Sequence, residues 1–152
     1  MKFKRTRLVL LIALLILVAI QFVPVNREAP ESDPNQRFLA TIDLDKAHGS
    51  VLKNACFDCH SNRSRYPWYA YIAPASFVIQ NHINEGRSEL NFDEWNTYSL
   101  EKKKHKLEEV SESLRENWMP LTGYEKLHQE AQLTAEQRED LAKAIDAIRA
   151  RL

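Results

Sequence analysis

Glycine is nearly missing from this chain, with three in 152 residues, and stretches of alternating apolar and polar side chains are few. Sheet proteins need both turn punctuation and period-two patterning, so an all-α fold is expected. Charge of one sign is not in excess either, with 21 Lys and Arg against 21 Asp and Glu. Without a clustered basic surplus there is no footprint for nucleic acid. Sulfur is scarce: Cys56 and Cys59 are the only cysteines, and Met1 and Met119 the only methionines. A structural zinc site needs about four ligands, usually including a second close pair. His48, His82, His105 and His128 lie far apart and form no such pair. No internal repeat is present.

What is there is concentrated in Cys56-Phe57-Asp58-Cys59-His60. A Cys-x-x-Cys-His run is the attachment pattern of a c-type haem. Two thiols at this separation can each add to one vinyl group on one edge of a porphyrin. The adjoining imidazole then reaches the iron as an axial ligand. A thioredoxin-like redox pair is the first competing reading, but it would follow a buried strand. Here Val51, Leu52, Ala55 and Cys59 recur at helical spacing instead. A surface disulfide would leave His60 without a role.

The chain opens with Lys2, Lys4, Arg5 and Arg7, then runs apolar from Leu8 to Ile20 and closes at Pro24. A basic segment before an apolar one marks a secretory signal or a membrane anchor. The 16 residues from Leu8 to Val23 fall slightly short of the roughly 20 that span a bilayer. No Ala-x-Ala-like cleavage site ends the run, so residues 1–25 are read as an uncleaved single-pass anchor. The basic end would stay cytoplasmic and the remainder would lie on the exported, periplasmic side. A cleaved signal would release it to the periplasm. Setting the four leading cations aside leaves 17 basic against 21 acidic residues, a mild acidity that suits a basic redox partner. Residues 26–42, with Pro30 and Pro34, read as a linker, and residues 43–152 as one haem-binding domain.

Within that domain four helices are expected. The first spans about Leu44 to Cys59. A second starts near Pro74, a residue suited to a first turn, and ends with Gly86 as C-cap. The third spans about Ser99 to Trp118 with Leu107, Val110, Leu114 and Trp118 on one face. Thr134 and Gln137 make a capping box that opens the last, which carries Leu141, Ile145 and Ile148. An early helix bearing the haem motif and a terminal helix packing across it give a cytochrome c-like plan.

On the exported side Met119 is the only methionine that can serve as distal ligand, in the setting Trp118-Met119-Pro120. His82, among Phe77, Val78, Ile79 and Ile83, is the alternative, and would make a bis-histidine site. His128 follows Tyr124 by four residues and is read as a supporting residue rather than a ligand. His105, among Lys102, Lys103, Lys104 and Lys106, belongs to a solvated face, and His48 to a helix surface. Tyr66, Trp68, Tyr69 and Tyr71 are expected to close the pocket. Arg63 and Arg65 suit haem propionates or the loop surface equally well. The carboxylate pairs Asp93–Glu94 and Glu108–Glu109 are expected to face solvent.

Taken together, these residues resemble the small bacterial haem-binding domain family with a Cys-x-x-Cys-His motif. The resemblance runs from Val51 to about Leu141. It rests on Cys56 to Asn62, Tyr66-Pro67-Trp68-Tyr69, Ile72-Ala73-Pro74 and His82-Ile83-Asn84-Glu85-Gly86-Arg87. It continues through Leu90-Asn91-Phe92 with Trp95, Lys104 to Glu109, and Met119-Pro120 with Tyr124 and His128. Gln129 stands where that pattern more often has proline. The resemblance implies a membrane-tethered, exported domain with one haem per chain. The leading expectation is a monohaem c-type cytochrome transferring single electrons. In it Cys56 and Cys59 are thioether anchors, His60 the proximal and Met119 the distal iron ligand. A sensor or peroxidase-like enzyme with an open distal position is the second reading. A haem-free interaction module with a disulfide is the third.

Overall fold

A computed structural model describes residues 2–152, with side chains from residue 4 onward. Among the described residues there are eight α-helices and no strand. Helix α1 (Lys2–Ala19) continues into a 3₁₀ turn at Ile20–Phe22. Its apolar side chains, Leu8 to Val18, stand free of the rest of the chain. Lys4–Phe22 has a mean hydropathy of 2.1, long and apolar enough to cross a membrane. A signal sequence meets the same description.

The remaining helices are α2 (Phe38–Thr41), α3 (Lys46–Ala55), α4 (Phe57–His60), α5 (Ala75–Glu89), α6 (Leu100–Arg115), α7 (Thr122–Leu127) and α8 (Ala135–Arg151). Their starts follow the local chemistry. Asp45 caps α3 by accepting from the amides of Ala47 and His48, and Ser99 caps α6 by accepting from Lys102. Thr134 and Gln137 form the expected reciprocal box on α8. Helices α6 and α8 pack most extensively, burying Leu107 and Leu114 against Leu141, Ile145 and Ile148.

An aromatic nest joins that pair to α3 and α4, which carry Cys56 to His60. Phe38 meets Trp95 edge-on at 5.0 Å between ring centroids and Phe92 at 5.3 Å, while Phe57 stacks on Phe92 at 5.0 Å. Phe38 is fully buried and its amide donates to the Phe92 carbonyl at 2.8 Å. Packing therefore reaches into the stretch read as linker, because a large aromatic there fills the core.

Three helix boundaries differ from the sequence reading. The first helix breaks at Cys56, which leaves helical geometry (φ −123°, ψ −39°) and separates α3 from α4. Gly86 is no C-cap: α5 runs on to Glu89. Helix α6 stops at Arg115, and Asn117 takes the left-handed conformation (φ 59°). The amide of Trp118 then bonds the Ser113 carbonyl at 2.9 Å and that of Asn117 bonds Leu114 at 3.3 Å. This Schellman closure turns Trp118 outward, 60% exposed, rather than onto the helix face. It also delivers Met119 to the next segment.

Candidate functional site

The turn at Cys56 sets the two cysteines on one short helical step. The His60 amide bonds the Cys56 carbonyl at 2.9 Å, and the Cys59 amide bonds the same oxygen at 3.2 Å. Phe57 and Asp58, the two intervening residues, both point inward and are buried. Phe57 enters the aromatic nest, so the other side of the turn faces a cavity.

That cavity holds about 340 Å³ and is walled by Cys56, Cys59, His60, His82, Gly86 and Met119, among others. A neighbouring space of about 350 Å³ shares Cys56, His60 and Met119 and adds Phe92 and Lys106. A third, of about 680 Å³, shares Cys59, His82 and Tyr124 and is lined mainly by Pro67, Pro74, Val78, Ile79 and Leu127. All five residues singled out from the sequence thus border the 340 Å³ cavity. Sizes and apolar walls of this kind suit an organic cofactor with a few placed polar groups.

His60 is oriented for ligation. Its Nδ1 lies 3.0 Å from the Leu90 carbonyl oxygen, which can only accept, so Nδ1 carries the proton. Nε2 keeps its lone pair. A ring nitrogen fixed through a backbone carbonyl is the usual arrangement behind a metal-bound histidine. Burial lowers the His60 pKa, partly offset by the Leu90 and Gly86 carbonyl groups, so the neutral imidazole dominates. Its backbone is fixed as well, since the Phe92 amide bonds the His60 carbonyl at 2.8 Å.

Both cysteines are free thiols. Burial pushes Cys56 up to about 12 and Cys59 up to about 11, the latter with help from the Asp58 carboxylate. A thiol-disulfide catalyst needs the opposite shift, toward a stable thiolate. Among the described residues no group of three or more His, Cys, Asp or Glu gathers around a point. A bare metal ion therefore has no cage here. The donor set instead fits a macrocycle that brings its own equatorial nitrogens and asks the chain for one or two axial ligands.

Gly86 explains how α5 comes so close. A Cβ there would lie 2.8 Å from the Cys59 carbonyl oxygen and 3.2 Å from Cys59 Cβ. Only glycine allows the helix to rest on the motif.

Several polar contacts could not be read from the sequence. Asp58 receives Arg65 Nε at 3.0 Å and the Arg65 amide at 3.2 Å, and lies 2.7 Å from the Tyr124 hydroxyl. Burial and that carboxylate both push the Tyr124 pKa far up, keeping the phenol protonated. Tyr124 stacks on His128 at 4.0 Å between ring centroids, and His128 Nε2 lies 2.6 Å from the Tyr69 hydroxyl. His128 therefore stands beside the large cavity, held between Tyr124 and Tyr69. Arg138, buried in α8, donates to the Met119 carbonyl and to Glu125, pinning the Met119 loop.

Other expectations need correction. Asp93 does not face solvent. Its side chain is fully buried and takes Arg63 Nη2 at 2.6 Å and Nε at 2.9 Å. Arg63 and Arg65 pair with the protein's own carboxylates, Asp93 and Asp58, and Arg65 also lines the large cavity. Lys106 leaves the solvated face to bond Glu109 at 2.7 Å and Glu89 at 3.2 Å. In the aromatic loop Tyr69 lines the large cavity as expected, but Trp68 and Tyr71 are 74% and 60% exposed.

A family model described as a haem-binding domain matches residues 15–147. No curated protein and no solved structure matches the chain.

Proposed function

Since the chain belongs to the haem-binding domain family, we propose that it carries one covalently bound c-type haem and passes single electrons to a partner protein. The observation that carries this is His60, its Nδ1 committed to Leu90 and its Nε2 free beside two cysteine thiols on one cavity wall. Each thiol adds its sulfur and hydrogen across one vinyl double bond, forming one C–S bond with no oxidant required. Burial holds Cys56 and Cys59 as protonated, weakly nucleophilic thiols at neutral pH. A haem held there would supply a one-electron couple, with Phe92 and Leu90 as the apolar wall on the His60 side. Arg138 fixes the Met119 backbone through its carbonyl, and the Met119 thioether would be the distal ligand. A His/Met pair raises the reduction potential and suits electron transfer.

We also read α1 as a retained anchor, with Lys4, Arg5 and Arg7 on the cytoplasmic side and the haem domain exported. The hydropathy of Lys4–Phe22 and the exposure of its apolar side chains support this.

Intact mass after expression with a cytochrome c maturation system tests the covalent link. One porphyrin mass is expected on the wild-type chain and none on Cys56→Ala/Cys59→Ala. A colourless wild-type product of unmodified mass would sink the proposal. For the distal ligand, Met119→Ala should abolish the weak long-wavelength band that methionine gives with ferric haem. A wild-type protein lacking that band and binding carbon monoxide rapidly when reduced would point to an exchangeable distal position. The 680 Å³ cavity beside Cys59 and His82 favours that second reading.

A further inference from the structure

The end of α1 is fastened to the aromatic loop. Gln21 is the first polar residue after the run from Leu8 to Ile20, so it marks the depth at which the chain leaves an apolar phase. Its side chain pairs with both backbone groups of one residue: Nε2 donates to the Ala73 carbonyl at 3.1 Å, and the Ala73 amide donates to Oε1 at 3.0 Å. Six residues later Arg27 donates to the Ala70 carbonyl at 2.7 Å and lies 4.7 Å from the Tyr71 ring centroid. The segment leaving the anchor is therefore strapped along one side of the loop.

Beyond the Arg27 contact on the Tyr71 ring, the loop keeps an exposed apolar face. Trp68 and Tyr71 stand three apart in a 3₁₀ turn (Trp68–Tyr71), where such side chains eclipse and point the same way. They are 74% and 60% exposed, Ile72 is 48% exposed, and Phe22 beside Gln21 is 82% exposed. Tyr71 and Ile72 lie within two residues of Ala73, at most about 7 Å along the chain. That places them at the level of Gln21, where the headgroup layer is roughly 5–8 Å thick on each side of the hydrocarbon. Tryptophan and tyrosine favour this layer, with an apolar ring for the acyl boundary and a polar edge for water.

We propose that the Trp68–Ile72 loop is a second membrane contact, with Trp68, Tyr71 and Ile72 seated in the phospholipid headgroup layer beside the anchor. This rests on the reading of α1 as a retained span. The consequence is a fixed orientation instead of a domain swinging on a tether. Because Pro67, Tyr69 and Pro74 wall the 680 Å³ cavity, the contact also sets the height of that cavity above the bilayer.

The test uses full-length holoprotein in phosphatidylcholine vesicles, each variant carrying one nitroxide on an introduced cysteine, Phe22→Cys, Ile72→Cys or His105→Cys. Thioether formation consumes Cys56 and Cys59, and intact mass confirms a single label. The Phe22 and Ile72 labels should be several-fold less accessible to a water-soluble nickel relaxant than the His105 label. Adding Trp68→Ser/Tyr71→Ser should restore access at position 72 several-fold and leave position 22 protected. A protected position 22 with position 72 as open as position 105 overturns the loop contact alone. An open position 22, or a mass lacking the first helix, overturns the anchor and the loop contact with it.

Discussion

Gly86→Ala is expected to destabilise the holoprotein by about 1–3 kcal/mol, as overpacking does, and Gly86→Val to prevent haem attachment. The sign is the informative part. In an unobstructed helix interior, exchanging glycine for alanine stabilises by up to about 1 kcal/mol, because the unfolded chain loses freedom and the helix gains a better former. Gly86 lies inside α5, so propensity alone predicts a gain. Sterics oppose it. The new Cβ would meet the Cys59 carbonyl oxygen at 2.8 Å and its carbon at 3.1 Å. These are backbone atoms, which no rotamer change removes. The helix and the motif turn must separate, and the thiol of Cys59 and the imidazole of His60 move with the turn. Gly49 provides the internal control. It sits inside α3, and a Cβ there meets only the Leu39 side chain, at 3.7 Å. Gly49→Ala should therefore stabilise by a few tenths up to about 1 kcal/mol. Urea unfolding followed by circular dichroism and by haem absorbance separates the two. Equal shifts of the same sign at both positions would contradict the close approach.

The contrast between these glycines shows where sequence reasoning stops. Both lie in helical stretches, and nothing adjacent to Gly86 signals that another backbone comes to rest on it. A glycine near an expected helix end reads as a C-cap, yet here the obstacle is Cys59, 27 residues earlier in the chain. The motif itself was legible because its chemistry is contiguous: five consecutive residues carry both sulfurs and the imidazole. The α6 and α8 faces and the Thr134–Gln137 box were legible for the same reason, as i+3 and i+4 patterns. What escaped were charges committed across long separations. Arg138 occupies a polar position of α8 but reaches Met119 and Glu125. Asp58 reads as a spacer between two cysteines but gathers Arg65 and Tyr124. Phe38 followed a proline-rich stretch that looked like spacer, and only the tertiary fold puts it between Phe92 and Trp95.

Asp93→Ala should lower stability by about 3 kcal/mol, a large share of the 5–15 kcal/mol that holds a domain folded. The Asp93 side chain is fully buried and has three kinds of partner. Arg63 grips it with two nitrogens, at 2.6 and 2.9 Å. The Asn62 amide donates to it at 3.1 Å, and Arg37 Nε stands 3.7 Å away. Removing the carboxylate leaves the Asn62 amide unsatisfied and frees the loop that follows His60. Arg63 is 46% exposed and recovers hydration, so most of the loss comes from the buried partners. Arg63 also lies 5.8 Å from the Phe57 ring centroid, closing the outer side of the aromatic nest under the motif. The effect should reach the haem. Leu90 and Phe92, just before Asp93, hold the His60 side chain and backbone respectively. Once Asp93 no longer anchors that strand of chain, His60 loses its fixed ring orientation. A double-mutant cycle with Arg63→Ala isolates the pair: the double variant should be less destabilised than the sum of the two singles. If Asp93→Ala costs under about 1 kcal/mol, in the range of a solvated surface pair, then the carboxylate is hydrated and does not hold the motif in place.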